Sequence, residues 1–186
     1  QAIGMQRKLL GDDHPDIAAA LNNLAFVLHD KGDAEGARRM MQESLDMYRR
    51  TVGPEHPSTA RGMANAGMWQ MEAGDHASAE PLLREALQMR RKLLGNEHAE
   101  VAGSLILLAS LLVETGRFEE ARGAAAEARA ICLQALGAAH WRTAAAASVE
   151  GAALLGLGQV GQGAELLVNG LAALRADDGA LTFYVD

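Results

Sequence analysis

The chain has 186 residues, 49% of them hydrophobic and 22% charged, which is typical of a folded protein rather than a disordered one. Its net charge of −7 argues against a nucleic-acid partner, and its single cysteine excludes an intrachain disulfide framework. No apolar run reaches the roughly 18–20 residues of a membrane span, and no signal peptide is visible. We therefore expect a cytoplasmic protein with no membrane partner. Because the chain starts at Gln1 rather than Met, we also expect it to be a piece of a longer protein.

Glycine, histidine and alanine residues recur along the chain at a spacing of 42 residues. Such a period is the mark of a protein built from stacked repeats. The columns are Gly11, Gly53, Gly95, Gly137 and Gly179; His14, His56, His98 and His140; Gly32, Gly74, Gly116 and Gly158; and Ala18, Ala60, Ala102 and Ala144.

In chain order, residues 1–14 are predicted to be the end of a truncated repeat, because residues 1–10 match the tail of a later helix. The first full repeat, 15–56, begins with a predicted helix A over about 17–31, whose apolar residues follow the spacing of one helical face. This helix is predicted to end at Gly32, since glycine accepts the left-handed conformation of a helix cap.

A second predicted helix, helix B, covers about 34–50 and ends at Gly53. The breaker sequence Gly-Pro-Glu-His-Pro follows and places Pro57 in the first turn of the next helix, where a missing N–H costs nothing. The remaining segments are predicted to be full repeats at 57–98 and 99–140, a degenerate C-terminal repeat at 141–179 and a tail at 180–186. We expect about nine helices in a single domain, 1–186. In the last repeat Trp141 replaces proline, and Glu150 replaces the leucine of the column Leu24, Ala66 and Leu108. An atypical last repeat is typical of an end cap, whose outer face meets water.

Small residues recur where two helices must approach closely. The columns are Ala25, Gly67, Ala109 and Gly151; Ala37, Ala79, Ala121 and Gly163; and Ser44, Ala86, Ala128 and Gly170. This set resembles the tetratricopeptide signature, and His-Pro-Asp-Ile-Ala-Ala-Ala-Leu-Asn-Asn-Leu-Ala, from His14 to Ala25, is similar to the start of helix A in kinesin light chains and in bacterial 42-residue tetratricopeptide arrays. The resemblance implies an all-α fold, a right-handed α-solenoid (superhelix) of antiparallel helix hairpins. It also implies a scaffold that binds a protein or peptide in a concave groove lined by helix A.

Helix A residues that lie off the packing face are the candidates for that groove. They are Asn23, Asn65, Phe26, Met68, Trp69, Arg61, Leu107 and Arg142. By resemblance, Asn23 corresponds to an asparagine that lines the cargo groove of kinesin light chains, and Asn65 matches it by column. An amide can bind a peptide backbone in either polarity, but it can equally bond between adjacent helices. The apolar candidates are expected to form either a groove floor or ordinary core between repeats.

Three features that could indicate a metal, dinucleotide or phosphate site also have structural interpretations. The four column histidines cannot share one metal ion, because a helical hairpin separates them, and we expect them to cap or pack in loops. Gly156 to Gly161 match the G-x-G-x-x-G fingerprint, but a predicted helix rather than a strand precedes them. The basic run Arg90-Arg91-Lys92 is expected to complement a helix dipole, with an acidic or phosphate partner as the alternative.

The sequence accordingly predicts no enzyme, no cofactor and no metal. The alternative function is a regulatory or oligomerisation segment of a larger signalling protein, such as a kinase- or ATPase-fused array, and self-association through the solenoid ends is a further possible contact.

Overall fold

A computed structural model describes residues 2–176, and every regular element in that range is an α-helix. The helices are α1 (Ala2–Leu10), α2 (Pro15–Asp30), α3 (Ala34–Thr51), α4 (Pro57–Glu72), α5 (His76–Leu94), α6 (Ala99–Glu114), α7 (Phe118–Ala135), α8 (Trp141–Gly156) and α9 (Val160–Ala176). The predicted all-α class and the expected number of helices are thus confirmed over this range. The predicted tail at 180–186 lies outside the described residues. Within the described part of the chain, no helix is long and apolar enough to span a membrane.

The chain divides into two compact units, and the division falls inside α5 between Met89 and Arg90. In the first unit α1 packs on α2, α2 on α3, and α3 on α4. In the second unit α6 packs on α7, α7 on α8, and α8 on α9, and α6 also reaches α8. Each unit is therefore built from helix hairpins, in which α2, α4, α6 and α8 occupy the helix A position.

The turn after each helix A has the same hydrogen-bond pattern. In the first turn Gly32 has a φ of 81°, and the N–H of Asp33 donates to the carbonyl of Leu28 at 2.9 Å. This is the Schellman arrangement, in which a glycine in the left-handed region lets the chain satisfy the last carbonyls of the helix. The equivalent bonds run from Asp75 to Gln70, from Arg117 to Leu112 and from Gln159 to Leu154. The structural interpretation of this glycine column is confirmed.

Each column histidine is the N-cap of a helix A. The Nδ1 atom of His14 accepts a hydrogen bond from the backbone N–H of Asp16 at 3.2 Å. The same bond, at 3.1 Å, joins His56 to Ser58, His98 to Glu100 and His140 to Arg142. A cap of this kind satisfies one of the N–H groups that the first turn of a helix leaves unpaired. The histidines therefore have the capping role expected for them.

The core of the first hairpin shows why the small columns are needed. Ile17 and Leu21 of α2 pack against Met47 and Tyr48 of α3, and all four side chains are almost fully buried. The predicted small positions are buried throughout the described residues. At Gly67 an added Cβ would come within 2.8 Å of the Leu83 side chain, so a larger residue there would force α4 and α5 apart.

Candidate binding surface

Three pairs of residues connect α2 with α4, and they follow the i, i+4, i+7 spacing of one face on both helices. We call them the α2–α4 ladder. The pairs are Asn22 with Asn65, Phe26 with Trp69, and His29 with Glu72. The ladder brings together two of the apolar residues predicted for the groove and one of the predicted asparagines.

The asparagine pair is an interhelical hydrogen bond. Asn65 is partly buried, and its Nδ2 atom donates to Oδ1 of Asn22 at 2.8 Å. Asn23 is exposed, and its Oδ1 atom lies 3.5 Å from Nδ2 of Asn22, at the long limit for a hydrogen bond. Asn65 therefore bonds between helices, the alternative that the sequence left open, whereas Asn23 presents its amide to solvent. The part of either residue in ligand binding stays a prediction.

The aromatic pair forms the middle of the ladder. The ring centroids of Phe26 and Trp69 are 5.3 Å apart with a tilt of 53°, and His29 meets Trp69 edge-on at 4.2 Å. Phe26 and Trp69 are partly buried, and so is the neighbouring Met68. Val27, one position after Phe26, is 48% exposed. An apolar strip with an open side thus runs along the ladder.

The third pair closes the ladder at the C-terminal ends of the two helices. His29 Nε2 lies 3.5 Å from a carboxylate oxygen of Glu72, and both side chains are about two-fifths exposed, at 43% and 37%. At this exposure an ion pair contributes little to stability even when the imidazole is charged. Glu72 therefore remains largely open to solvent.

Arg61, at the other end of α4, is directed towards helix B. Its Nη2 atom donates to the hydroxyl of Tyr48 at 3.1 Å, and its guanidinium lies 6.0 Å from the centre of that ring. Tyr48 is buried in the hairpin core. The predicted groove cation is thus tied by one bond to α3, although its side chain stays exposed.

In the second unit, Arg142 belongs to an ion network with Glu100 and Arg90. The two oxygens of Glu100 lie 3.1 Å from Arg142 and 3.1 Å from Arg90. Burial alone would raise the pKa of Glu100, but the charges of Arg90 and Arg142 outweigh it and leave the pKa below its usual value. The Arg142 guanidinium also lies 5.2 Å from the ring centre of Trp141.

The basic run at the end of α5 was expected to complement the helix dipole, but Arg90 has specific partners. Its side chain is only 8% exposed, and it donates to the carbonyl of Glu100 at 3.0 Å and to Oγ of Ser104 at 2.8 Å. A cation that only complemented the helix dipole would need no such partners. Arg90 instead forms hydrogen bonds to residues in the first two turns of α6.

The positions equivalent to the ladder on α6 and α8 are mostly aliphatic or small. They are Ile106, Ser110 and Val113 on α6 and Val149, Ala153 and Gly156 on α8. Leu107, the last predicted groove residue, is partly buried on α6. The amide and aromatic groups are thus concentrated on the first unit, whereas the carboxylate of Glu72 recurs at Glu114 on α6.

The glycine fingerprint lies in a helix-to-helix turn. Gly156 is the last residue of α8, Gly158 has a φ of 76° in the Schellman turn, and Gly161 lies in the first turn of α9. The fingerprint requires a strand before the glycines to aim backbone N–H groups at a phosphate. A helix precedes them here, as the sequence predicted.

Some contacts of this surface could not be predicted by comparing residues 42 positions apart. Asn22, His29 and Glu100 were not predicted as groove residues, yet each contacts a predicted one. Asn22 bonds to Asn65, His29 meets the ring of Trp69, and Glu100 pairs with Arg142. The ladder joins residues 43 positions apart, as the hydrogen bond between Asn22 and Asn65 shows, whereas the columns compare residues 42 apart.

Comparisons with known proteins agree on the fold. The family described as Tetratricopeptide repeat matches residues 1–50, 16–92 and 65–134. No curated protein sequence matches the chain.

Several solved structures superpose on the chain. Two crystal structures of a Podosopora anserina protein, titled as a kinesin light chain with nearly identical TPR-like repeats, have TM-scores of 0.74 and 0.72 at 24% and 23% identity. They match 94% and 95% of this chain and 82% and 84% of theirs. BtubC (BKLC) from P. vanneervenii has a TM-score of 0.79 at 18% identity, over 94% of this chain and 70% of that one. At these identities the likeness shows the fold.

Proposed function

Because the chain belongs to the tetratricopeptide-repeat family, we propose that it is a binding module whose helix A surface on α2 and α4 takes a peptide segment of a partner protein. One observation carries this proposal. Phe26, Met68 and Trp69 are only partly buried on α2 and α4, whereas Leu111 and Ala153, which share the column of Trp69, are fully buried on α6 and α8.

The apolar side chains of the strip are only partly covered. Phe26, Met68 and Trp69 keep part of their surface in water, although burial of that surface would be favourable. Isolated exposed apolar residues are common, but these three are contiguous, since the rings of Phe26 and Trp69 are 5.3 Å apart and Met68 is next to Trp69 in the chain. Such a strip offers a partner apolar area to cover.

The polar groups beside the strip suit an extended backbone. Asn23 is exposed and has both a donor and an acceptor in its amide, so it can pair with a peptide N–H or C=O. Asn65 is held in place by Asn22, which fixes the α4 side of the strip. Aromatic residues and methionine, represented here by Trp69 and Met68, are enriched at protein interfaces. Helix A is also the element that the family resemblance assigns to the groove.

A random peptide library displayed on phage and panned against the full chain tests the proposal. We expect enriched peptides. We expect Met68→Lys to weaken their binding about tenfold or more, because the change puts a charge into the apolar strip, and few interface residues cost this much when they are changed. Lysine is a good helix former, so the partly buried position should tolerate it in the free protein.

Gln88→Ala is the matched control, since Gln88 is an exposed residue on α5, a helix B of the same unit. It should leave binding unchanged. If no peptides are enriched, or if Met68→Lys and Gln88→Ala bind the enriched peptides equally well, the α2–α4 surface is not the binding site.

A further inference from the structure

The hydrogen bond that begins each helix A depends on the protonation state of a histidine. The Nδ1 atoms of His14, His56, His98 and His140 each accept the backbone N–H two residues later, at 3.1–3.2 Å. A ring nitrogen accepts a bond only while its lone pair is free, so the cap requires the neutral imidazole with its proton on Nε2. A protonated imidazole donates from both nitrogens and cannot form this bond.

Protonation also places a positive charge at the unfavourable end of the helix. The N-terminus of a helix carries a partial positive charge from its unpaired N–H groups, and it repels a cation. Acid therefore removes an attractive contact from each cap and adds a repulsive one. The unfolded chain has no cap to lose, so the folded state alone is penalised.

Carboxylates offset part of this penalty at two of the caps. Oδ2 of Asp16 lies 3.6 Å from Nδ1 of His14. At the third cap Glu100 interacts with the charge of His98, although its two oxygens also pair with arginines. A protonated ring at either position gains an opposite charge as it loses the cap bond.

Other charges near the caps come from the loops and from the helices packed on them. Asp13, Glu55 and Glu97 each precede a capping histidine in the chain. Asp13 pairs with Arg50 of α3 at 2.9 Å, and Glu100 is held by one arginine of α5 and one of α8. A protonated imidazole must therefore share these carboxylates with arginines.

The fourth cap has the least compensation. Ala139 precedes His140, and no carboxylate of the residues that the structure describes lies within ion-pair distance of its ring. The N–H that His140 caps belongs to Arg142, a cation, and the ring stacks on Trp141 with centroids 5.6 Å apart. Protonation should cost the fold most at this position.

We propose that the four capping histidines make helix A an acid-sensitive element, whose first turn loosens as the imidazoles become protonated. The proposal does not depend on the peptide-binding surface. An imidazole changes its charge between about pH 5 and 8, whereas carboxylates titrate at lower pH. The four caps therefore respond together in a range of pH that leaves the acidic groups ionised.

The backbone amides of Asp16, Ser58, Glu100 and Arg142 report the caps directly. We expect NMR spectra of the ¹⁵N-labelled chain, recorded from about pH 7.5 to about pH 5.5, to show these four N–H protons moving upfield as the imidazoles titrate. A hydrogen-bonded proton resonates downfield of a free one, so the shift measures the loss of the bond. If the four amides stay fixed while the imidazoles titrate, the caps survive protonation and the proposal is wrong.

Asparagine at the four capping positions separates the cap from its charge. It is among the best N-cap residues and does not titrate. The variant with His14→Asn, His56→Asn, His98→Asn and His140→Asn should lose less than half as much in urea midpoint as the wild type over the same range of pH. The matched control carries His29→Asn and His76→Asn, since His29 lies in the last turn of α2 and Asp75 caps α5. It should retain the wild-type loss.

Single variants test the order of the four caps. His140→Asn should remove more of the acid-induced loss than His14→Asn, because Asp16 offsets the charge at His14. Full protonation of one uncompensated cap should raise the unfolding equilibrium constant about fivefold, the usual effect of losing an N-cap. An equal loss of urea midpoint in the wild type and the four-asparagine variant overturns the proposal. If that variant does not fold, the amide titration of the wild type decides alone.

Discussion

The side chain of Asn65 donates to Oδ1 of Asn22 across 2.8 Å, and the two residues stand 43 positions apart. The bond joins one helix A to the next and is partly buried. An amide placed in mid-helix is a poor helix former, so a bond to a neighbouring helix explains its presence without a ligand. The Asn22–Asn65 pair thus has a structural role at this surface, and the exposed Asn23 lies next to it.

We predict that Asn65→Leu lowers the free energy of unfolding by about 1–2 kcal/mol, because it removes the bond and leaves the Asn22 amide without its partner. Urea denaturation followed by circular dichroism measures the change. Asn22→Leu together with Asn65→Leu should cost less than the sum of the two single changes, since neither amide is then left unsatisfied. Strictly additive costs would contradict an interaction between these side chains.

The sequence predicted the repeating framework well because each part of it depends on local chemistry. Gly32 is required by a left-handed turn, and His14 caps a helix from two residues away, so both recur wherever the turn or cap recurs. Pro57 in a first turn has the same local character. Periodicity therefore predicts these features at every copy.

Contacts between repeats were harder to predict because they depend on how one helix is rotated against the next. Asn22 and Asn65 belong to different columns, and no comparison of equivalent positions places them together. Glu150 shows the same limit. Its column contains leucine and alanine and gives no sign of a partner, but its side chain is only 11% exposed and pairs with Arg129 at 2.6 Å. The counter-charge comes from α7, a different helix, so the column could not predict it.

Acid should weaken the second unit through Glu100. Its folded-state pKa is depressed, so its stabilising effect is fully present above the unfolded-state pKa of about 4.3 and is lost as the pH falls through the lower folded value. We predict that Glu100→Gln destabilises the protein at pH 7, where it leaves the buried Arg90 without its carboxylate. The difference from wild type should shrink as the pH falls below about 4.

Urea midpoints measured between pH 7 and pH 3 check this prediction. Glu97→Gln serves as the control, because Glu97 is an exposed residue in the loop before α6. A stability difference between Glu100→Gln and wild type that stays constant over the whole range would contradict the linkage.

The two partners of the Arg129–Glu150 pair should respond differently to removal. Arg129→Leu leaves the buried Glu150 carboxylate uncompensated, and we predict a loss of about 3 kcal/mol, as for other broken buried pairs. Glu150→Leu restores the leucine of the column, and the Arg129 side chain, 34% exposed, can turn to solvent. Its cost should stay below about 1 kcal/mol. Equal costs for both changes, measured by urea denaturation, would argue against this asymmetry.

Alanine substitutions at the three glycines of the fingerprint should change the stability by different amounts, because the structural surroundings of the glycines differ. Gly161→Ala is predicted to raise the stability by about 0.5–1 kcal/mol, because it lies in a helix, its φ is not positive and an added Cβ meets nothing within 4 Å. Gly158→Ala should cost about 1 kcal/mol, since its φ of 76° strains any residue with a Cβ.

Gly156→Ala should cost the most of the three, because its Cβ would overlap the Phe118 ring and push α7 from α8. Phe118→Leu combined with Gly156→Ala should recover part of the loss, since the smaller side chain makes room for the methyl group. Thermal unfolding of the variants gives the order of the effects. The order follows from helix packing and from the turn conformation of Gly158. If Gly161→Ala is the most destabilising of the three, the turn does not explain why these glycines are present.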